Sequence, residues 1–508
     1  MIRKIKYSIL TACAIVICSS CEEYLSTGSS TALEDTEILS STSNLKKVLV
    51  ANYRKFYFMT VSSDFRGIFH GITGLAFIDM MRGTDVICQN RMGGEQYTAY
   101  QYLQEATSSA GDTDCPWTVM YNIINSANLI INAVEEASGT QTDKDQLLGQ
   151  SLAMRGYCYF MLIQYYQQTY VIAQNKLGVP LRLKAPDDGD YTLPRATVQE
   201  VYTQIVSDLT SAKSLLSSFS RSEKYHLDSK VVSGMLARVY LVMQKYSEAQ
   251  AEADNVLATY GTLMTKEEWQ TWSLSLSFAE TVWGFPQTST NSIGAAGQYG
   301  MWYNYPLGEQ AGDRCYNFQN FFANDKYVEL FEETEDRYLF WLRSDDPEFA
   351  TNWVYAKWYD PGDGAGNSRG DYCLMRGAEM LLIKAECQAN LGNTGDALAS
   401  LNKLQEARHV TNKTTTTDKN ALLEAIYIER RKELMGEGFS GLLDLLRLQK
   451  PMIRRGDHFI PGIVNLPALE DGNGLPSNDY RMIFQIPDRE LQLNPGITQA
   501  DQNPFSGQ

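Results

Sequence analysis

Aromatic side chains are concentrated in one part of this 508-residue chain. Seven of its eight tryptophans lie between residues 261 and 371, a stretch that includes YGMWYNY at 299–305 and WVYAKWY at 353–359. A flat ring in a polar loop can stack on the apolar face of a sugar, while nearby Asn, Asp or Arg side chains hydrogen-bond to its hydroxyls. The pattern therefore indicates a carbohydrate-binding surface.

Eight residues are the candidate ligand contacts. Trp302 lies in a run of tyrosines with an asparagine close by, and two earlier tyrosines alternate with polar residues. The competing interpretation is that each ring packs inside the protein, because long loops need aromatic residues to pack down. We expect at least one exposed platform among Tyr97, Tyr100, Tyr299, Trp302, Tyr303, Asn304, Trp353 and Trp358.

Residues typical of catalytic and metal sites are sparse. The chain has no HExxH, GxSxG, P-loop or Rossmann glycine pattern. A transition-metal site needs clustered histidines or cysteines, and no two of the four histidines fall within five residues of each other. We therefore predict no cofactor, no metal and no catalytic residue. The four histidines are His70, His226, His409 and His458.

Adjacent carboxylates leave a surface glycosidase as one alternative. Glycoside hydrolysis needs two carboxyl groups at a defined spatial separation, which adjacency in sequence does not supply. In a chain with 60 acidic and 44 basic residues, such pairs are typical of a solvated face. The formal charge of -16 also argues against nucleic acid and anionic membrane surfaces as partners. The pairs are Asp187-Asp188, Glu332-Glu333 and Asp345-Asp346.

The first 20 residues have the pattern of a lipoprotein signal peptide. The basic start MIRKIK precedes an apolar run over residues 7–17, which is too short to span a bilayer. A lipidated cysteine after this segment would attach the chain to the membrane without spanning it. Residues 21–45 would then form a tether rich in serine and threonine.

Three cysteines compete to be the lipidated residue. Cleavage before Cys13 would leave too short an apolar region, and Cys18 follows the large Ile17. Cys21 follows two serines and fits both length and size, so we expect lipidation at Cys21. The six later cysteines contain no CxxC pair, and their pairing stays open, although Cys158 and Cys387 lie in apolar helical stretches and are predicted to be core thiols.

The elements that must position the aromatic loops are helices. Residues 376–408 carry apolar residues at helical spacing, interrupted at Gly392, which predicts two helices folded back on each other. Small residues at the seam allow close approach, as in tetratricopeptide-type solenoids. A second pair is predicted over 231–259, with Asp228 as N-cap. One pair cannot bury its apolar face alone, so we predict an all-α fold of stacked tetratricopeptide-like pairs with long irregular loops and little β structure.

Three regions are expected after the tether, in one compact structural unit. Residues 46–260 form an N-terminal helical region, and residues 376–508 form a C-terminal one. Residues 261–375 form the aromatic-rich loop region between them and contain the candidate ligand site. A stretch this long without periodicity is usually functional or disordered, and the aromatic content argues against disorder.

Four asparagines share one face of a helix predicted over 117–137. Asparagine is a poor helix former, so the row needs a reason. Hydrogen bonding to neighbouring helices or loop carbonyls is the favoured reason, because buried amides are normally satisfied internally. Direct ligand contact is the alternative for Asn122, Asn125, Asn128 and Asn132.

Other local patterns give definite expectations. A first helix is predicted over 45–58, and a loop over 67–74. A helix over 421–435 should end at the glycines of Gly436-Glu437-Gly438, which supply the backbone freedom of a C-cap. Another helix is predicted over 439–450.

Several segments, taken in order, resemble the SusD/RagB family of outer-membrane lipoproteins. The resemblance covers essentially the whole chain after the signal peptide. It rests on the lipoprotein start that ends at Cys21, on WTVMYNIINSANLI (117–130), MRGYCYFMLIQYY (154–166) and RGAEMLLIKAECQANLGN (376–393), and on IYIERRKELMGEGFSGLLDLLR (426–447) and IPDRELQLNPGITQADQNP (486–504).

The resemblance implies a non-enzymatic surface lipoprotein of the outer membrane. Such proteins bind oligomeric nutrients, usually glycans, and cap a SusC-like TonB-dependent transporter as a hinged lid. Family ligand residues lie in variable loops, so none transfers by position. Glu429, Glu433, Asp444 and Arg447 are interpreted as structural ion pairs at helical spacing.

The expected function is therefore capture of oligosaccharides or polysaccharides for import. The expected partners are the transporter, the glycan and, through the lipid anchor, the membrane, with the protein facing the cell exterior. A peptide-binding member of the same family is the first alternative.

Overall fold

The computed structural model describes residues 39–57, 71–88, 100–102, 111–184, 192–271, 274–286, 321–343, 353–355, 357, 371–459 and 474–504. Within these ranges, no helix combines the length and apolarity that a membrane span requires. The described chain is mainly helical, as predicted. Its longer helices are α1 Thr42–Tyr57, α2 Gly71–Met81, α3 Gly111–Ala133, α4 Gln141–Tyr166, α5 Val198–Leu215, α6 Ser229–Val242, α7 Tyr246–Tyr260, α8 Gly377–Asn390, α9 Thr394–Ala407, α10 Lys419–Leu434, α11 Leu442–Arg447 and α12 Asp488–Leu493.

Successive helices pack on one another in chain order. Helix α3 lies on α4, α4 on α5, α5 on α6 and α6 on α7. The stack then continues across the aromatic region, because α7 packs on α8 and α8 packs on both α9 and α10. The chain therefore forms the predicted stack of helical pairs. Described residues of the 261–375 region, including Trp269 and Trp283, pack into the same core.

The hairpin predicted over 376–408 is confirmed as α8 and α9. Gly392 adopts φ +88° at the turn between them, a conformation that glycine reaches without a steric penalty. Small and branched apolar side chains from the two helices and α10 form a separate buried cluster, which consists of Ala378, Leu381, Leu382, Ala385, Ala389, Ala397, Leu401, Leu404, Leu422 and Ile426.

Helix ends follow the predicted capping residues. The Asp228 carboxylate accepts hydrogen bonds from the backbone N–H groups of Lys230 and Val231 at the start of α6. Helix α10 ends at Leu434, and Gly436 and Gly438 follow it with φ of +72° and +117°. Both predicted boundaries are confirmed, since each depends on local chemistry that the sequence displays.

Three local predictions were wrong. The predicted loop over 67–74 overlaps α2, which begins at Gly71, because Ile72 and Leu75 are buried and their packing outweighs the glycines. Helix α3 begins at Gly111, earlier than expected, and contains Pro116. Helix α11 covers only 442–447, because Phe439 adopts φ +66°, a left-handed conformation that does not start a helix.

Within the described ranges, short strands pair antiparallel at five places. The strands are β1 Val86–Cys88, β2 Leu177–Pro180, β3 Arg195–Thr197, β4 Thr281–Phe285, β5 Phe321–Ala323, β6 Trp341–Arg343, β7 Trp353–Tyr355, β8 Tyr372–Arg376, β9 Met452–Ile453 and β10 Gly474–Leu475. Their pairs are β1 with β5, β2 with β3, β4 with β8, β6 with β7, and β9 with β10. Three of these pairs anchor the aromatic region.

Candidate functional site

Strands β4 and β8 hold two aromatic segments at the same end of one ribbon. Phe285 at the end of β4 lies opposite Tyr372 at the start of β8. The segment 287–320, which carries YGMWYNY, therefore begins beside the residue where the segment 358–370 ends. Both flanking strands are buried, so their positions are fixed by the core.

Strands β1 and β5 join a third segment to the same region. Cys88 at the end of β1 lies opposite Phe321 at the start of β5. The segment 89–99, which contains Tyr97, therefore begins beside the residue where the segment 287–320 ends. Strand β5 also lies against β7.

Strands β6 and β7 present Trp353. Arg343 lies opposite Trp353, so the segment 344–352 joins two paired residues. The Trp353 ring is half-buried and packs edge-on against Tyr338, with ring centroids 6.4 Å apart and an interplanar angle of 73°. Trp353 therefore keeps part of its surface open among the described residues.

Tyr100 is in the core, which corrects the expectation that it could form an exposed platform. Its side chain is fully buried. The Tyr100 hydroxyl lies 2.5 Å from Nδ1 of His458, and the two rings stack with their centroids 5.9 Å apart. The Arg454 guanidinium lies 3.6 Å from the centroid of the Tyr100 ring. In this arrangement the ring has no free face for a sugar.

The other predicted contacts lie outside the described residues. These are Tyr97, Tyr299, Trp302, Tyr303, Asn304 and Trp358, and the predicted lipidation site Cys21 also lies outside. The structure describes the strand ends beside several of them.

A buried charge network fixes the base of the aromatic region. Its ten side chains are five acids and five bases, so their formal charges cancel. Trp269 lies among them, 4.8 Å from the Arg408 guanidinium and 5.6 Å from that of Arg376. The ten residues are Glu280, Glu335, Arg337, Lys357, Arg376, Arg408, Glu429, Lys432, Glu433 and Glu437.

The network connects residues next to β4, β7 and β8 to the C-terminal helical region. Glu280 immediately precedes β4, and Arg376 ends β8; Arg376 Nη1 lies 2.5 Å from Glu280 Oε1 and 2.9 Å from Glu433 Oε1 on α10. Lys357, which precedes Trp358, bonds to Glu437. Although burial acts to raise it, the pKa of Glu433 is held well below its ordinary value by Arg408 and Arg376.

Sequence reasoning recognised part of this network. Asp444 and Arg447 form the predicted ion pair at 2.6 Å. Glu429 and Glu433 also serve as structural ion-pair residues, but their partners come from distant segments, with Arg337 binding both. Only the helical spacing of acids and bases on α10 was visible in the sequence, and it gives no sign of these long-range partners.

The asparagine row has the predicted structural role at Asn128, whereas Asn122 bonds to a carbonyl of its own helix. Asn122 Nδ2 donates to the carbonyl of Thr118 at 2.9 Å. Asn128 Nδ2 donates to the carbonyl of Arg182 at 2.8 Å, and its Oδ1 accepts from Arg155 at 2.9 Å.

The described carboxylate pair has a structural contact. Glu332 accepts hydrogen bonds from the backbone N–H groups of Thr411 and Asn412, at 2.7 and 2.9 Å, and Glu333 is exposed. The other two acidic pairs lie outside the described residues.

Among the described side chains there is no cluster of His, Cys, Asp and Glu that could hold a metal. The predicted core thiols Cys158 and Cys387 are buried and unpaired.

The fold and the candidate site together define the class of protein. It is an all-α helical-repeat protein in which short strand pairs hold the ends of the segments rich in aromatic residues. Two family models match the chain: one described as SusD-like, starch-binding and associating with the outer membrane, over residues 76–241, and the SusD family model over 341–505. SusD-like protein P38 of Formosa agariphila is 23% identical over 501 residues, covering 88% of this chain and 92% of the relative. The chain belongs to the SusD/RagB family.

Solved structures agree with this assignment. A SusD-like carbohydrate-binding protein from Bacteroides vulgatus superposes with a TM-score of 0.79 at 26% identity, covering 92% of this chain and 99% of the other. A SusD superfamily protein from Bacteroides thetaiotaomicron superposes with a TM-score of 0.76 at 22% identity, with coverage of 91% and 100%. The predicted family and all-α fold are confirmed.

Proposed function

We propose that the protein is a cell-surface glycan-binding lipoprotein that captures oligosaccharides and delivers them to a SusC-like TonB-dependent transporter. The observation that carries the proposal is the common anchoring of the aromatic segments. Three strand pairs, of which β1–β5 and β6–β7 contact each other, hold the ends of the segments that contain Tyr97, the 299–304 cluster and Trp358, and they present Trp353 directly. We expect the rings on these segments to contact successive sugar units of one chain.

The related proteins support the same ligand class. The N-terminal family model is described as starch-binding, and the Bacteroides vulgatus structure is of a carbohydrate-binding protein. The described residues contain no group of side chains that could hold a metal. In the described pair of adjacent carboxylates, Glu332 accepts hydrogen bonds from backbone N–H groups. We therefore propose binding without catalysis.

The membrane attachment is proposed from two observations. The sequence places Cys21 after a signal-peptide pattern, and the family description associates SusD-like proteins with the outer membrane. Lipidation at Cys21 would tether the chain at the outer membrane, facing the exterior. Replacement Cys21→Ser should abolish incorporation of radiolabelled palmitate and release the protein from the membrane fraction. Retention of label in this variant would contradict the assignment of Cys21.

Calorimetry against plant, host and microbial polysaccharides tests the ligand class. We expect at least one glycan to bind, and the double replacement Trp302→Ala, Tyr303→Ala to weaken it by about tenfold or more, since each aromatic stacking contact contributes roughly 1–3 kcal/mol in comparable ring systems. Tyr240→Ala, which removes a half-buried ring from helix α6, is the matched control and should leave affinity unchanged. Binding to oligopeptides and to no glycan would instead support the peptide-binding alternative.

The transporter partnership predicts co-purification. Mild detergent extraction of the outer membrane should yield the protein together with a large β-barrel transporter. Elution of the protein alone under these conditions would contradict this part of the proposal. Release of reducing sugar by the purified protein would contradict the non-catalytic part.

A further inference from the structure

One cavity of the protein lies outside the aromatic strand pairs. It has a volume of about 260 Å³ and opens between helix α3, the chain that follows β2, and helix α12. Pockets for drug-sized ligands run from about 300 to 1,000 Å³, so this cavity fits a single six-membered ring with its substituents. None of the three elements that form it belongs to the strand pairs of the aromatic region.

Two largely buried aromatic rings form the floor of the cavity. Trp117 and Tyr121 lie one helical turn apart on α3, with ring centroids 4.9 Å apart, and both are buried. Trp117 Nε1–H donates to Glu490 on α12 at 3.2 Å, and Arg182 donates to the same carboxylate at 3.2 Å. These bonds fix the wall opposite α3 before any ligand arrives.

Polar groups around the floor lack partners. The Oδ1 atom of Asn125 is buried with no hydrogen-bond donor among the described residues. A buried acceptor without a donor costs roughly 1–3 kcal/mol, so a ligand hydroxyl that reaches it would bind favourably. On the described part of the chain the exposed Arg489 guanidinium also makes no hydrogen bond or ion pair.

Asp114 supplies a second acceptor at the cavity. It is half-buried, and burial raises the pKa of its carboxyl above the ordinary value, while the positive charge of Arg489 opposes the shift. The cavity contains two acids, Asp114 and Glu490, and two bases, Arg182 and Arg489, so their formal charges cancel. A neutral ligand with several hydroxyls matches this balance better than an anion or a cation.

We propose that this cavity binds one neutral sugar ring. The exposed edges of the two largely buried rings, Trp117 and Tyr121, would contact the apolar part of the sugar. Hydroxyls would donate to Asn125 and Asp114, and Arg489 would donate to a ring or hydroxyl oxygen. The asparagine row on α3 then has two roles, since Asn122 and Asn128 satisfy the backbone and neighbouring side chains whereas Asn125 faces the ligand. The inference rests on the proposed function only for the class of ligand.

Calorimetry and saturation-transfer NMR with neutral methyl glycosides of glucose, galactose and mannose, and with glucuronate, test the site. We expect at least one neutral glycoside to bind and to bind more tightly than glucuronate. Arg489→Ala and Asn125→Ala should each weaken this binding about tenfold, as expected for the loss of one hydrogen bond to a charged or buried group. Asn132→Ala, which removes the exposed asparagine of the same row, should change nothing.

Thermal unfolding of each variant separates binding from folding, and Arg489 is exposed, so its replacement leaves the core intact. The inference is overturned if no glycoside binds, if glucuronate binds best, or if Arg489→Ala and Asn125→Ala both bind as the parent does. Trp302→Ala, Tyr303→Ala distinguishes the two sites. If this variant loses polysaccharide binding and the parent binds no glycoside, only the proposed site in the cavity is refuted. If the parent binds a glycoside but no polysaccharide, only the proposed function is refuted.

Discussion

Arg376 and Glu433 form an ion pair of 2.9 Å between two side chains that are both completely buried. Arg376 ends strand β8, which borders the aromatic region, and Glu433 lies on helix α10. Arg408 donates to the same carboxylate oxygen at 2.7 Å. One carboxylate therefore joins the aromatic region, the end of α9 and the C-terminal helices.

Replacement of Glu433 by Gln should destabilise the protein severely. The change keeps the shape but leaves Arg376 and Arg408 without their shared counter-charge in the interior, and removing one partner of a buried pair costs about 3–5 kcal/mol. Urea unfolding followed by circular dichroism measures the effect. Glu406→Gln is the control, because the Glu406–Lys413 pair is exposed and such pairs contribute about 0–1 kcal/mol. Equal losses in the two variants would contradict the role assigned to the network.

The buried His458 should make stability depend on pH. Burial, helped by Arg454, lowers its pKa from 6.5 to about 3. Between these values the unfolded chain holds a proton that the folded chain lacks, so the free energy of unfolding rises with pH in this window, by about 1.4 kcal/mol per pH unit for this group. Its contribution is complete above pH 6.5 and is lost as pH falls toward 3. Urea unfolding at several pH values gives the free energy of unfolding as a function of pH. Between pH 3 and 6.5 its slope should be smaller in His458→Gln by the amount that one proton contributes. An unchanged slope would refute the assignment.

Two glycines should respond oppositely to replacement by alanine. A Cβ on Gly377, the first residue of α8, would lie 2.0 Å from the carbonyl oxygen of Tyr260, so Gly377→Ala should cost about 1–3 kcal/mol. A Cβ on Gly395 in α9 would meet nothing within 4 Å, so Gly395→Ala should add about 0.4–1 kcal/mol by restricting the unfolded chain. Thermal melts of both variants check the pair. A stabilised Gly377→Ala protein would show that α7 and α8 do not need their close approach.

Tyr100→Phe should change stability and leave glycan binding intact. The replacement removes the hydroxyl that contacts His458, which should cost about 1–2 kcal/mol. Because the ring is buried, affinity for the glycan that the parent binds should stay the same. Thermal melts and calorimetry on one preparation measure both. A loss of affinity without a loss of stability would return Tyr100 to the ligand surface.

The sequence predicted the helical scaffold well because its determinants are local. The spacing of Ala385 and Leu401 in the hairpin, the Asp228 cap and the glycines after α10 all act within one or two helical turns. The partners of Glu433 were not predictable in this way, because Arg337 and Arg376 lie 96 and 57 positions away.

The site was less accessible to sequence reasoning than the scaffold. Aromatic composition alone does not distinguish Tyr100, which packs on His458, from Trp353, which is only half-buried. The sequence left ligand contact as the alternative for all four asparagines of α3 but did not single out Asn125, since its place at the cavity depends on Arg182 and α12 meeting α3 in space. Both distinctions arise from contacts between segments that are far apart in the chain.

The register of β4 with β8 and of β1 with β5 bears on how this chain could acquire new ligands. The chain from 286 to 321 departs beside Tyr372 and returns beside Cys88, so a replacement segment need only bridge two fixed points on a buried frame. Closing a flexible loop costs only about 0.6 kcal/mol more for each doubling of its length. We therefore expect length changes between these two points to cost little folding free energy. Under the proposed function, grafting this segment from a relative would exchange glycan specificity.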